Sequence, residues 1–406
     1  MSYHNTQYQS VDNYSNSFAH LEQQRKAQSR RSKMIVIGSI VGLAVLVAIG
    51  VGVGVSVAKN HKSNPKSAVA SSSSSNSGNS SGVVQQSNPG DPSSFIKNPA
   101  LKQSFYGLAY TPYGSQLPTC NNSLADVITD IQLLSQLTTR IRLYGADCNQ
   151  SALVLEAIKQ TKVDMKVFLG NYAADDGGVA YARQRDVIKD ALQTYGTDHV
   201  LGITVGNEFI LNYLGSNGGT QQDPNGSVGN AGAAILLPNI TDTRTMLSGM
   251  GLNISVGNAD AGSYFNTQIM EAIDYGMANV HPWFANQAVD AAAGWTAEFF
   301  ATTNIAAAQA LSNKPTMYIA ETGWPTKSSS VEAESDGPSN ASVSNLQIYL
   351  DTFVCQANQN NTGYFFFEYF DETWKDVQFG GVEGWWGLFN SDRTLKDITI
   401  PDCKSP

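Results

Sequence analysis

Charge is what this sequence has least of. Asp, Glu, Lys and Arg together supply 15% of its 406 residues, well under the roughly one quarter usual for globular domains. Basic residues are the scarcer kind: 25 Lys and Arg stand against 34 Asp and Glu, for a net charge of −9 at pH 7. Eight of the 25 fall in residues 1–66, which hold only two acids, so the rest of the chain is strongly acidic. Such a surface does not neutralise phosphates, which excludes a nucleic-acid partner. Cysteine is sparse too. There are four, with no Cys-x-x-Cys pair and no Cys/His cluster, which argues against structural zinc. No pattern calls for a metal or an organic cofactor.

Apolar residues are plentiful, and one run has no charge at all. Met34–Ala58 is 25 residues of Val, Ile, Leu, Ala and Gly with little else. About 20 such residues cross a bilayer, where only a helix satisfies its own backbone. The run begins after 33 residues and is too long for the apolar segment of a cleaved leader. Arg25, Lys26, Arg30, Arg31 and Lys33 precede it, and Lys59, Lys62 and Lys66 follow. The larger positive cluster predicts an N-terminus inside. The expected organisation is a cytoplasmic tail over 1–33, a transmembrane signal-anchor helix over 34–58, a flexible Ser-rich stalk over 59–97 and a catalytic domain over 98–406. That makes a single-pass type II protein of the cell membrane with its bulk outside. Its partner there is the lipid bilayer, through one helix. A monomer is expected, with Gly38/Gly42 and Gly50/Gly54 matching the small-xxx-small spacing of membrane-helix dimers.

The stalk contains Ala70–Gly82, ASSSSSNSGNSSG, a composition that cannot bury apolar area. Eight Asn-x-Ser/Thr sites follow the membrane run, at Asn79, Asn121, Asn149, Asn225, Asn239, Asn253, Asn340 and Asn360, and are candidates for glycosylation. Cys120, Cys148, Cys355 and Cys403 lie on the same side, where disulfides persist. Four cysteines allow three pairings. Proximity in the fold argued next favours Cys120–Cys148 and Cys355–Cys403.

From about Asn98, β-rich runs alternate with amphipathic stretches. The strand candidates are 105–110, 140–145, 166–172, 200–208, 253–259, 277–284, 316–324 and 363–370. Between them, segments such as LADVITDIQLLSQL and SVSNLQIYLDTFVCQA place apolar residues at i, i+3, i+4 and i+7. Strands that alternate with helices imply parallel pairing with crossovers. Eight such units over about 300 residues predict an α/β fold, a closed (β/α)8 TIM barrel. The longest interruption, Leu214–Asn230, follows the fourth strand, where it can form a lip of the cleft.

Several strands turn polar as they end, and barrel enzymes place catalysis at that end. Strand four ends in Gly206-Asn207-Glu208, strand seven in Glu321-Thr322-Gly323-Trp324, strand six in His281-Pro282-Trp283, and strand two in Arg142-Leu143-Tyr144. Glycosidic hydrolysis needs one protonated carboxyl at the leaving oxygen and one carboxylate at the anomeric carbon. Strands four and seven stand three steps apart, nearly across the barrel. Their carboxyls can face each other at roughly 5–5.5 Å, the spacing of a retaining mechanism. Glu208 is the expected acid/base and Glu321 the expected nucleophile. Trp283, Trp324, Trp374, Trp385 and Trp386 fall near the same rim, where sugar rings stack.

Met317–Ser328, MYIAETGWPTKS, resembles the nucleophile signature of glycoside hydrolase family 17, and Val205–Glu208, VGNE, resembles its acid/base motif. The resemblance extends over 104–398. It implies a (β/α)8 barrel, retention of configuration, no metal, and β-1,3-glucan as substrate. It also implies that Asn207 binds the 2-hydroxyl of the sugar being cleaved and that Tyr110 and Tyr144 line the cleft. Glu372, Lys375 and Glu383 match a supporting cluster beside the nucleophile, where Lys375 is expected to lower the pKa of Glu321. The His281-Pro282-Trp283 run differs from the Tyr-Pro-Tyr of plant members, and a membrane anchor with a Ser-rich stalk resembles fungal wall-remodelling glucanases. The leading expectation is endo-hydrolysis of β-1,3-glucan. Transglucosylation or exo-attack is the alternative within the class, and a non-catalytic glucan-binding surface protein the alternative outside it.

Overall fold

The computed structural model describes residues 84–88, 90–219 and 223–406. The predicted tail, the predicted membrane helix, most of the predicted stalk and the Asn79 site lie outside the described residues. Among the described residues no helix is long and apolar enough to cross a membrane.

Eight strands form, one in each predicted run: β1 (Gly107–Ala109), β2 (Arg140–Arg142), β3 (Lys166–Asn171), β4 (Val200–Asn207), β5 (Ser255–Ala261), β6 (Tyr275–Asn279), β7 (Thr316–Thr322) and β8 (Tyr364–Phe366). All pair in parallel, each with its neighbours in sequence, and β1 closes the ring by pairing with β8. Parallel neighbours need crossovers, and helices supply them: α1 (Leu124–Leu134), α2 (Gln150–Thr161), α3 (Val179–Tyr195), α4 (Phe209–Ser216), α5 (Ser227–Gly249), α6 (Thr267–Ala272), α7 (Val289–Phe299) and α8 (Val343–Gln359). A last helix, α9 (Thr373–Phe379), follows β8. Local chemistry starts them. Ser123 and Ser342 accept hydrogen bonds from Asp126 N and Asn345 N, each at 3.1 Å, capping α1 and α8.

The N-terminal half of the barrel interior is an aromatic plug. Phe168, Tyr275 and Phe365 meet edge-to-face, with centroids 5.0 Å (Phe168–Tyr275) and 5.6 Å (Phe168–Phe365) apart, and Tyr106 and Tyr318 pack against them. Rings of that size fit only where the facing strand lacks a side chain. A Cβ on Gly257 would lie 2.2 Å from the Tyr275 ring, and one on Gly107 2.5 Å from Phe365. The polar groups of the candidate site gather in the other half, at the C-terminal ends of the strands.

Three expectations change. The sixth strand spans Tyr275–Asn279 rather than 277–284. Pro282 has no N–H to pair, and its carbonyl instead accepts from Gln287 N at 3.1 Å, which turns the chain. His281 and Trp283 consequently stand on a loop. The interruption at Leu214–Asn230 is shorter than expected, because its first residues finish α4 and its last ones open α5. The flexible stalk does not reach Lys97. Gln86 bridges to Phe95, Gln86 Nε2 donates to Gln132 Oε1 (2.8 Å), and Gln132 Nε2 donates to Pro92 O (2.7 Å). Gln132 is a fully buried residue of α1, so this segment satisfies a polar group that the helix would otherwise leave stranded.

Staples hold the connections. Disulfides join Cys120 to Cys148, tying the β1–α1 and β2–α2 connections, and Cys355 of α8 to Cys403 of the C-terminal tail. Buried Asp130 of α1 accepts from Arg393 Nε (2.6 Å), Tyr110 Oη (2.8 Å) and Tyr369 Oη (3.2 Å). This corrects the placement of Tyr110. Ala109, its neighbour on β1, pairs with Arg142, and strand alternation sends Tyr110 to the opposite face, under α1 rather than into the cleft.

Asp130→Ala leaves Arg393 and two tyrosine hydroxyls without their shared acceptor. The expected cost is about 3 kcal/mol, read as a fall in the thermal midpoint of roughly 5 °C.

Candidate active site

Simple alternation puts Tyr318 and Ala320 of β7 inside the barrel, with the aromatic plug, and would turn Glu321 outward. The register prevents this. Ala278 of β6 pairs with Ile319 and Asn279 with Glu321, so β7 holds one extra residue at that point. A bulge of this kind re-aims the next side chain, and Glu321 enters the barrel mouth. The same happens across the groove. Thr204 pairs with Gly257 and Asn207 with Ala259, giving β4 an extra residue at Gly206, whose φ of +83° suits glycine. Asn207 and Glu208 follow directly. Glu208 takes a left-handed conformation (φ 53°) and its N–H donates to Ala259 O at 3.1 Å.

One network joins the two sides. Arg142 of β2, 1% exposed, donates from Nη1 to Glu321 Oε1 (3.0 Å) and from Nη2 to Asn207 Oδ1 (2.6 Å). Asn279 Nδ2 donates to Glu208 Oε1 at 3.2 Å and lies 3.5 Å from Asn207 Oδ1. His281 Nε2 lies 3.0 Å from the second oxygen of Glu321, and its ring is wedged against Trp386 (5.0 Å) and Phe367 (5.3 Å). The ring of Tyr144 lies 4.3 Å from the Arg142 guanidinium carbon. Burial pushes the Tyr144 hydroxyl well above its ordinary range, and the charge on Glu321 adds to this.

Burial would raise the pKa of Glu321. The His281 hydrogen bond and the Arg142 charge outweigh it and bring the value down to about 2. Lys375 takes no part in that. It donates to Glu368 Oε2 (2.9 Å) and pairs with Glu372 one helical turn away. The expectation that Lys375 tunes Glu321 is therefore corrected: two nearer carboxylates claim its charge. Burial alone would lower the pKa of Lys375, and Glu368 and Glu372 raise it instead. Burial and the charge of Glu372 push Glu368 well above the carboxylate range. Glu383 lies in the turn after α9, and its side chain makes none of these bonds.

The tryptophans divide. Trp324 is fully buried, donates from Nε1 to Asn340 O (2.8 Å) and packs on Tyr349, so it is a core residue and not a sugar contact. Trp386 is buried beneath His281, and Trp283 is 5% exposed beside Phe284. Trp374 and Trp385 are partly exposed on the rim, with Tyr172 beyond the end of β3. Arg142, Asn279 and Glu368 are residues of the site to which the sequence reading gave no role of their own. Arg142 carried a signal: a lone guanidinium at an inward position of a barrel strand must find an anion there.

Because the pKa of Glu321 is depressed, its charge stabilises the fold above pH 4.5, and that contribution is lost as pH falls toward about 2. Arg142→Gln keeps a donor and removes the cation. It should cut this pH-dependent stability by at least about 1 kcal/mol, measured by denaturant unfolding at stepped pH.

Known proteins resemble this chain in sequence and in fold. The BtgE/BtgC glycoside hydrolase domain matches residues 107–387. The chain is 35% identical over 326 residues to the Aspergillus terreus protein named "Probable glucan endo-1,3-beta-glucosidase btgC", covering 76% of this chain and 47% of that protein. It is 33% identical over 333 residues to the glucan endo-1,3-beta-glucosidase btgC of Emericella nidulans, covering 78% and 49%. The chain thus spans about half the length of these relatives. Among solved structures, the family 17 β-1,3-glucanosyltransferase of Rhizomucor miehei is 26% identical, with a TM-score of 0.58 over 74% of this chain and 99% of that one. An endo-laminarinase from Formosa, 18% identical with a TM-score of 0.55 over 72% and 84%, shares the fold. The chain belongs to glycoside hydrolase family 17, within the group that carries the BtgE/BtgC glycoside hydrolase domain.

Proposed function

We propose that this protein hydrolyses internal β-1,3-glucosidic bonds of β-glucan with retention, using Glu321 as nucleophile and Glu208 as acid/base. The observation that carries the reading is the fixed charge on Glu321, held between Arg142 and His281 and joined through Asn207 and Asn279 to Glu208. Glu208 donates its proton to the glycosidic oxygen as Glu321 attacks the anomeric carbon. Glu208 then takes a proton from water, which releases the sugar from Glu321. Asn207 gives its oxygen to Arg142, so its Nδ2 is the atom oriented to donate to the 2-hydroxyl. Trp374, Trp385 and Tyr172 offer aromatic faces to further glucosyl units. The names of the curated relatives support the substrate, and a Rhizomucor miehei variant bound laminaritriose.

Transfer is the second reading, favoured by the glucanosyltransferase activity in the name of the Rhizomucor miehei structure. A sugar hydroxyl intercepts the covalent intermediate in place of water, and the chemistry up to that point is the same. A non-catalytic glucan receptor fits less well, because both carboxyls are present and bonded into the network.

The membrane reading stays with the sequence: an anchor over 34–58, a catalytic domain on the outer face of the cell membrane, and a monomeric domain acting on wall glucan. The two disulfides support an oxidising compartment. Exposed sequons at Asn121, Asn149, Asn225, Asn253, Asn340 and Asn360 support it too, with Asn239 partly exposed.

Glu321→Gln and Glu208→Gln should each lower kcat on laminarin by at least about a thousand-fold, with the thermal midpoint within a few degrees of the parent. Full turnover in either variant removes the assignment. A time course of products separates the readings: shorter oligosaccharides from internal cleavage, longer chains from transfer, glucose alone from exo-attack.

A further inference from the structure

The barrel has two ends, and its exposed apolar side chains are not shared evenly between them. Among the described residues ten large apolar side chains are exposed, and seven of these stand at the mouth, on or just after the segments that leave the strands. Scattered singly, such residues need no explanation. Gathered on one face, they mark a surface that receives a partner. The most exposed group sits on the last two connections: Val331 is 82% exposed, and Val377 and Phe379 of α9 are 90% and 55% exposed. Tyr113 and Leu117 extend the apolar face to the β1–α1 connection, whose strand pairs with β8.

The segments that carry this group are fixed to one another. Ser329 N donates to Gly381 O at 2.8 Å and Thr326 N to Trp385 O at 2.9 Å, which zips the connection holding Val331 to the one holding Val377 and Phe379. Ala341 N donates to Glu334 O at 2.9 Å and closes the first of them on itself. The Phe379 ring lies 6.3 Å from that of Trp374, and Trp374 Nε1 donates to Glu372 Oε1 at 3.2 Å. An apolar strip thus runs outward along α9, from the carboxyls at the end of β8 to the rim.

We propose that the rim formed by Val331, Val377 and Phe379 is a docking surface for insoluble β-1,3-glucan, holding the packed polymer over the mouth, outside the groove in which one chain is cleaved. The inference rests on the reading that β-1,3-glucan is the substrate. The patch is continuous with the groove through Trp374, so whatever covers it also covers the entrance. A second protein or a bilayer in that place closes the mouth, whereas the polymer brings substrate to it. The neighbouring charges are acidic, Glu332 and Glu334 near Val331 and Asp376 beside Val377. They repel an anionic surface and are indifferent to a neutral polysaccharide. Glucosyl rings present C–H faces that pack on apolar and aromatic side chains while their hydroxyls stay in water. A platform whose loops are already bonded together loses little freedom on binding.

The test is co-sedimentation of the purified full chain with washed β-1,3-glucan particles, in a Glu321→Gln background so that the particles are not digested. The triple change Val331→Ser, Val377→Ser and Phe379→Ser should weaken particle binding by at least about tenfold. Without the Glu321 change, the same triple variant should release sugar from particles more slowly, with kcat/KM on a soluble β-1,3-linked hexasaccharide within about threefold of the parent. Positions this exposed tolerate serine without loss of the fold. The conservative set Val331→Leu, Val377→Leu and Phe379→Trp should bind the particles at least as tightly as the parent. Unchanged sedimentation of the serine triple variant overturns the proposal. So does an equal loss on hexasaccharide and particles, which places the three residues in the groove. Sedimentation velocity without glucan tests for a second copy, and a parent dimer that the triple variant splits also overturns the proposal. If the parent cleaves no β-1,3-glucan, soluble or particulate, the substrate reading falls and this inference with it. If the parent cleaves the hexasaccharide and the triple variant binds particles as the parent does, this inference alone falls.

Discussion

A single guanidinium governs the barrel mouth. Arg142 reaches from β2 across the interior and divides its donors between Glu321 of β7 and Asn207 of β4. A buried carboxylate without such a partner costs several kcal/mol and takes up a proton instead. With the partner present, Glu321 stays charged where almost no water reaches it. The same cation fixes the distance between the two walls, because shifting either strand end breaks one of its bonds. On the far side the Glu208 carboxyl accepts from the neutral amide of Asn279. Different surroundings are how a fold gives different properties to two chemically similar side chains.

That geometry depends on layers beneath and around it. The aromatic plug fills the lower barrel so completely that Gly107 and Gly257 are the only residue type their positions admit. A filled interior does not let the strand ends drift. Around the rim, Asp130 holds the tail through Arg393, and Asp371 accepts from Lys396 Nζ at 2.6 Å. Each of these ion pairs joins residues distant in sequence and anchors the segments that carry Tyr369, Trp386 and the Glu368 cluster. Buried pairs add little net stability compared with apolar packing, but they allow one arrangement and penalise others.

Much of this was legible in the linear chain, and the failures share a cause. The eight strands follow from apolar runs alternating with helical periodicity, which is local information. Glu208 and Glu321 were visible because an acid after a β-run, next to Gly and Asn or Thr, is hard to explain as packing. Tyr110 and Trp324 were misplaced because residues just past a strand can face either way, and only the helices α1 and α8 and the Asn340 carbonyl decide which. Lys375 was credited with the wrong partner because a positive charge near a motif does not say which carboxylate is nearest. The ordered segment that leads into Asn98 was hidden because its partners, Gln132 in α1 and Gln136 just past the end of that helix, lie some 40 residues away.

By itself the sequence determined the class of the fold and the family, and it singled out the two carboxyls, since each is written in short-range pattern and composition. It also determined which residues could be charged in an apolar barrel. Only the tertiary structure decided what their charges do. Two single-residue bulges turn Asn207 and Glu321 into the mouth, and a bulge exists only between paired strands. The low pKa of Glu321 and the cap on α4 come from Arg142, His281 and Asp260, each on a different strand or loop from the group it acts on. Electrostatic energy depends on separation in space, and chain closure, not neighbourhood in sequence, sets that separation.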